Sequence, residues 1–196
     1  TKSLMVILVI IFSVTLANAG NSYKTETIKF KSNTVYTYRD FLDGLDDAKE
    51  VKISGKLIIP ESSDKVPAMI FLHDQGGITR RTNYWVKAFN SMGVATFQID
   101  SYKGRGVTPG RGAPSKVQSM TMIIDAYKGL ELLANNPKID SSKIGVMGFC
   151  ISGVSSIMAA WEPVRKVMGE LKFASHIALY PLCFDFETFN LTGAPI

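Results

Sequence analysis

The chain has 196 residues, 46% of them hydrophobic and 20% charged, which is enough for one domain with a sizeable core. The formal charge is +5, but the lysines and arginines are scattered and form no basic stripe with interleaved aromatics, which argues against nucleic acid as a partner. Two cysteines, Cys150 and Cys183, are too few for a disulfide scaffold.

In chain order, Lys2 precedes a run from Leu4 to Leu16 that is apolar apart from Ser13 and Thr15, followed by Ala17-Asn18-Ala19 and Gly20. A positive start, a short apolar stretch and an A-x-A site read as a secretory signal peptide over residues 1–19. Cleavage would leave residues 20–196 as a single exported domain, periplasmic or secreted and free of the membrane. The apolar run is shorter than the roughly 18 residues of a membrane span; an uncleaved anchor is the alternative.

Glu26–Lys31 and Val51–Ile59 read as strands, with the turn-like Asp43-Gly44-Leu45-Asp46-Asp47 between them. Val66–His73 is nearly all apolar, as a strand buried on both faces should be. Asn83–Met92 reads as a helix stopped by Gly93, and Val94–Asp100 as a second buried strand. Lys116–Ala134 carries Met120, Ile123, Ile124, Tyr127 and Leu130 at helical spacing. Lys143–Phe149 reads as a strand, Ile151–Trp161 as a helix stopped before Pro163, and His176–Tyr180 as a further strand; Ala194-Pro195-Ile196 resembles the onset of another. Strands alternating with helices imply an α/β fold: a mainly parallel sheet covered on both faces, with an antiparallel start made by the two early strands.

The chemistry concentrates in Gly148-Phe149-Cys150-Ile151-Ser152-Gly153, directly after a strand and before a helix. A nucleophile elbow needs this context, because its sharp turn requires small flanking residues. A thiol at a helix N-terminus sits where the dipole and free N–H groups favour the anion. The alternative is an inert buried thiol. Serine stands at 152, where glycine is usual, and lies too far inside the helix start to serve as nucleophile. The glycines at 104, 106, 110 and 112 do not open a helix after a strand, so no phosphate loop is indicated; no metal-ligand spacing is present, and no cofactor is expected.

The elbow, the strand ending His73-Asp74-Gln75-Gly76-Gly77, the stretch Asp100-Ser101-Tyr102-Lys103-Gly104-Arg105-Gly106 and Tyr180-Pro181-Leu182-Cys183 together resemble the dienelactone hydrolase family, within the α/β-hydrolase superfamily, over roughly residues 50 to 196. The resemblance implies hydrolysis of a lactone or carboxylic ester, a small-molecule substrate, through a nucleophile–acid–histidine triad with Cys150 as nucleophile. The oxyanion hole would use the amides of Ile151 and Gln75. Asp74 stands where cysteine-using relatives carry glutamate, and is either a partner for the thiol or a turn cap. Arg105 is a candidate for a substrate carboxylate, or else a solvated loop arginine. His73 precedes the elbow and reads as a loop organiser; His176 begins a strand and reads as structural. The resemblance therefore implies that the triad Asp and His lie beyond residue 196, that the chain as it stands has little activity, and that Cys183 pairs beyond residue 196 rather than with Cys150. Two other readings stay open: a non-catalytic binding protein of the same fold, and a thiol redox protein using Cys150.

Overall fold

A computed structural model describes residues 22–181 and 190–196; the signal segment and Cys183 lie outside them. Tyr23–Thr34 (β1) and Lys49–Pro60 (β2) pair antiparallel over their full lengths, from Tyr23 opposite Pro60 to Thr34 opposite Lys49. Both are longer than their apolar alternation indicates. Between them Tyr38–Leu42 (α1) forms a short helix that the sequence reading lacked. Thr37 caps it reciprocally with Asp40: the Thr37 hydroxyl accepts from Asp40 N at 3.0 Å, and Thr37 N donates to the Asp40 carboxylate at 2.9 Å.

The remaining strands are Val66–Leu72 (β3), Ala95–Asp100 (β4), Ile139–Phe149 (β5) and Ser175–Leu179 (β6). The sheet order is β1-β2-β4-β3-β5-β6; β2 joins β4 antiparallel, and β4, β3, β5 and β6 run parallel. The two-residue period of a strand decides what lies on each face. Ala68, Ile70 and Leu72 of β3 point into a large core shared with Ser119–Ala134 (α3), whereas Met69 and Phe71 join Val86 of Arg80–Ser91 (α2) on the opposite face. This accounts for the uninterrupted apolar run. Gly129 of α3 lets that helix approach the sheet closely, since a Cβ there would come within 2.9 Å of Ile99 and 3.3 Å of Ile70.

One helix expected after the elbow is two. Ile151–Met158 (α4) stops early, and Glu162–Met168 (α5) begins with Pro163 in its first turn. Proline lacks only an N–H that the first turn leaves unpaired anyway, so it starts this helix instead of following one. Farther along, the carbonyl of Pro195 accepts from His176 N in β6 at 2.8 Å, and Leu191 bridges Trp161.

Candidate active site

The segments that follow β3, β4 and β5, with Tyr180 and Pro181 after β6, lie at the carboxyl ends of the parallel strands, where open α/β sheets place their ligands. Cys150 links β5 to α4 with φ 54° and ψ −113°, a left-handed conformation rare for a residue with a side chain. Its neighbours make the turn possible: a Cβ on Gly148 would run into the carbonyl of Ser152, and one on Gly153 would come within 3.2 Å of the Leu179 carbonyl. The backbone N–H of Cys150 is held by Leu179 O at 3.0 Å. The thiol is free and partly exposed. Ile151 is the first residue of α4, so its N–H has no carbonyl a turn behind it to donate to.

Asp74 and Gly77 close a tight turn through Gly77 N to Asp74 O at 3.0 Å, with Gly77 at φ 74°. The Asp74 carboxylate accepts from Gly76 N at 2.7 Å and meets Arg81 Nη1 at 3.3 Å. Its hydrogen bonds thus cap the turn and hold an arginine rather than the thiol. Gln75 lies in the middle of the turn, its carbonyl fixed by Gly110 N at 2.8 Å.

Arg81 is a candidate site residue absent from the sequence reading. It donates to the Tyr180 hydroxyl at 2.5 Å, lies 5.6 Å from the centre of that ring, and its charge is within reach of Cys150. The helix expected over Asn83–Met92 begins at Arg80, so the contacts of Arg81 with Asp74 and Tyr180 had no signal in the sequence. Tyr180 also departs from ordinary geometry, at φ 40°. Beneath this edge Tyr102 is buried, and its hydroxyl has no hydrogen-bond partner among the described residues. Burial first, then electrostatic repulsion from the neighbouring Asp74 and Cys150, pushes its pKa up to about 12.

Arg105 lies elsewhere. All five of its N–H groups are taken: Nε by the Thr34 hydroxyl, Nη1 by Ser101 O and Asp125, Nη2 by Asn33 O and Asp125, each between 2.8 and 3.0 Å. Its side chain is 5% exposed and that of Asp125 is fully buried. The residue is neither solvated nor available to a substrate carboxylate; it is a buried ion pair tying the loop after β4 to α3 and β1.

Both histidines are committed to the framework. His73 Nδ1 donates to Asp74 O at 2.8 Å and Nε2 accepts from Ser101 N at 3.1 Å, which fixes the neutral Nδ1–H tautomer. His176 donates from Nδ1 to Ser156 O at 2.7 Å, and its Nε2 is buried without a partner among the described residues. Burial is the first cause holding both pKa values below that of a free imidazole. Since the chain has two histidines, none stands beside Cys150 as a base. Among the described residues no group of acidic, histidine or cysteine side chains is arranged to hold a metal, and no helix is long and apolar enough to cross a membrane.

The family model described as "Dienelactone hydrolase family" matches residues 53–176. No curated protein matches the sequence. Among solved structures, the α/β hydrolase GrgF from Penicillium sp. sh18 superposes with a TM-score of 0.56 at 18% identity, covering 84% of this chain and 48% of that one. Esterase Est22 superposes with a TM-score of 0.57 at 22% identity, covering 83% of this chain and 45% of that one. The chain thus spans about half the length of these structural relatives, and the shared fold is that of the α/β hydrolases.

Proposed function

The chain belongs to the dienelactone hydrolase family, and from that premise we propose that it is a hydrolase of carboxylic esters or lactones with Cys150 as nucleophile. The observation that carries this reading is the left-handed Cys150 at the junction of β5 and α4, flanked by glycines whose lack of a side chain the turn requires. Backbone strain of this kind persists where the surroundings over-determine it, and it presents the side chain above the sheet edge.

In the proposed reaction Sγ attacks the acyl carbon. Negative charge moves to the carbonyl oxygen, where the amides of Ile151 and Gln75 stabilise it. The C–O bond to the alcohol breaks, the alkoxide takes the proton the thiol gave up, and an acyl-thioester remains. Water then cleaves the thioester, returning the thiol and releasing the carboxylic acid. In a lactone, acid and alcohol leave as one molecule. Both histidines are bound into the framework, so the described residues offer deacylation no positioned histidine; general acid–base help of that kind is worth about 10²–10⁴-fold.

The test is p-nitrophenyl acetate with the purified 196-residue chain. One equivalent of p-nitrophenol should be released rapidly, followed by slow turnover, with an acetyl group on Cys150 by mass spectrometry. Cys150→Ala should release none above background. A burst that survives Cys150→Ala would overturn the assignment. Peroxide reduction dependent on Cys150 with no acylation would instead favour thiol redox chemistry.

We also propose export, on the strength of Lys2, the apolar run Leu4 to Leu16 and Ala17-Asn18-Ala19. Sequencing of protein recovered from outside the cytoplasm should begin at Gly20. A retained, membrane-bound N-terminus would show an anchor.

A further inference from the structure

Ser152 occupies the elbow position where glycine is usual, and its side chain is fully buried. A hydroxyl there needs partners, and it has three within reach. Its oxygen accepts from Phe149 N at 2.8 Å, and its proton goes to Leu72 O at 2.9 Å, with Phe149 O at 3.1 Å as the second acceptor. Phe149 is the last residue of β5 and the one before Cys150. Leu72 is the last residue of β3 and the one before His73, which leads into the Asp74–Gly77 turn. The two strands are already in register here, with Leu72 opposite Gly148. One oxygen atom therefore joins the ends of the two strands at the point where each delivers a different half of the site.

We infer that Ser152 is a positioning residue: it fixes the nucleophile elbow against the loop that supplies the second oxyanion donor. The inference rests on the reading of Cys150 as nucleophile and of Ile151 and Gln75 as oxyanion donors. Attack on a carbonyl needs the sulfur and both amides in one geometry, and small misplacements are costly. Simple alkylation of the sulfur needs the nucleophile alone. A tie between elbow and loop therefore matters to the first reaction and not to the second, and this sets it apart from a general packing role.

The experiment compares wild type, Ser152→Ala and Ser152→Gly in the full chain. The alanine variant removes only the hydroxyl. The glycine variant restores the usual elbow residue, a second route to folded protein. Each is assayed for p-nitrophenol release in the first turnover with p-nitrophenyl acetate, and for alkylation of Cys150 by iodoacetamide at the same pH. Acylation should slow at least about tenfold in both variants, while alkylation stays within about twofold. Backbone hydrogen exchange over residues 72–77 should accelerate in both. Acylation and alkylation changing by the same factor, or neither changing, would overturn the inference. Should wild type be alkylated at Cys150 yet release no p-nitrophenol, the nucleophile reading itself falls and takes this one with it; intact wild-type acylation with an unaltered ratio in the variants defeats the Ser152 inference alone.

Discussion

Single residues in this protein carry charge in places where water cannot reach. Asp125 is fully buried in α3 and accepts both Nη groups of Arg105 along with the Ser32 hydroxyl. Removing one member of such a pair strands the other, at a cost of about 3–5 kcal/mol. Asp125→Ala should therefore lower the urea unfolding free energy by that amount. The double change Arg105→Met with Asp125→Leu should recover part of the loss, because no charge is left behind. An Asp125→Ala variant as stable as wild type would show that the pair is solvated. The two histidines add a pH dependence whose sign follows from their depressed pKa values. Above about pH 6.5 both are neutral in the folded and the unfolded chain, and the full stability is present. As the pH falls below that value the unfolded chain takes up protons first, so stability drops, by at most about 1.4 kcal/mol per pH unit for each histidine. Urea titrations between pH 7.5 and 5 should show this decline, and His176→Phe should make it shallower. A flat profile would mean that both imidazoles titrate normally in the fold.

At the scale of elements, the elbow depends on what its strand and helix lack. A methyl group on Gly148 would occupy the space of the Ser152 carbonyl, and backbone cannot swing aside as a side chain can. Gly148→Ala should lower stability by about 3 kcal/mol or more and abolish acylation; a variant that is acylated normally would show that the turn has slack. The elbow, β3 and β4 were legible because their signals are local: small residues around a cysteine, and apolar runs buried on both faces. Other features were not. Five residues, Tyr38–Leu42, are too few to display a helical period. Pro163 carries the same letter whether it ends one helix or starts the next. The role of Arg105 was hidden because its partner lies 20 residues away. The one available clue was an aspartate at 125 inside the apolar stretch from Met120 to Tyr127. Asp74 and Arg81 meet only once the turn after β3 lies against the start of α2.

For the molecule as a whole, sheet order sets what is central. β3 and β5 are neighbours, and from their ends hang the proposed oxyanion loop and the proposed nucleophile. β1 forms one edge, and Lys24, Lys29 and Lys31 stand exposed along it, charges of the kind that discourage pairing with another chain. The tie from Ser152 to Leu72 spans 80 residues of sequence, and that separation has a kinetic consequence. Contacts so distant along the chain form late, because the loop they close must be ordered before they return any stabilisation. The left-handed turn at Cys150 is unfavourable until that pairing holds it in place. The reactive geometry should therefore be the last property acquired as the chain refolds from urea. In a double-jump experiment, far-ultraviolet dichroism should recover first, and first-turnover acylation by p-nitrophenyl acetate only with the slowest phase. An acylation burst that returned together with the earliest helical signal would mean that the elbow assembles from local sequence alone.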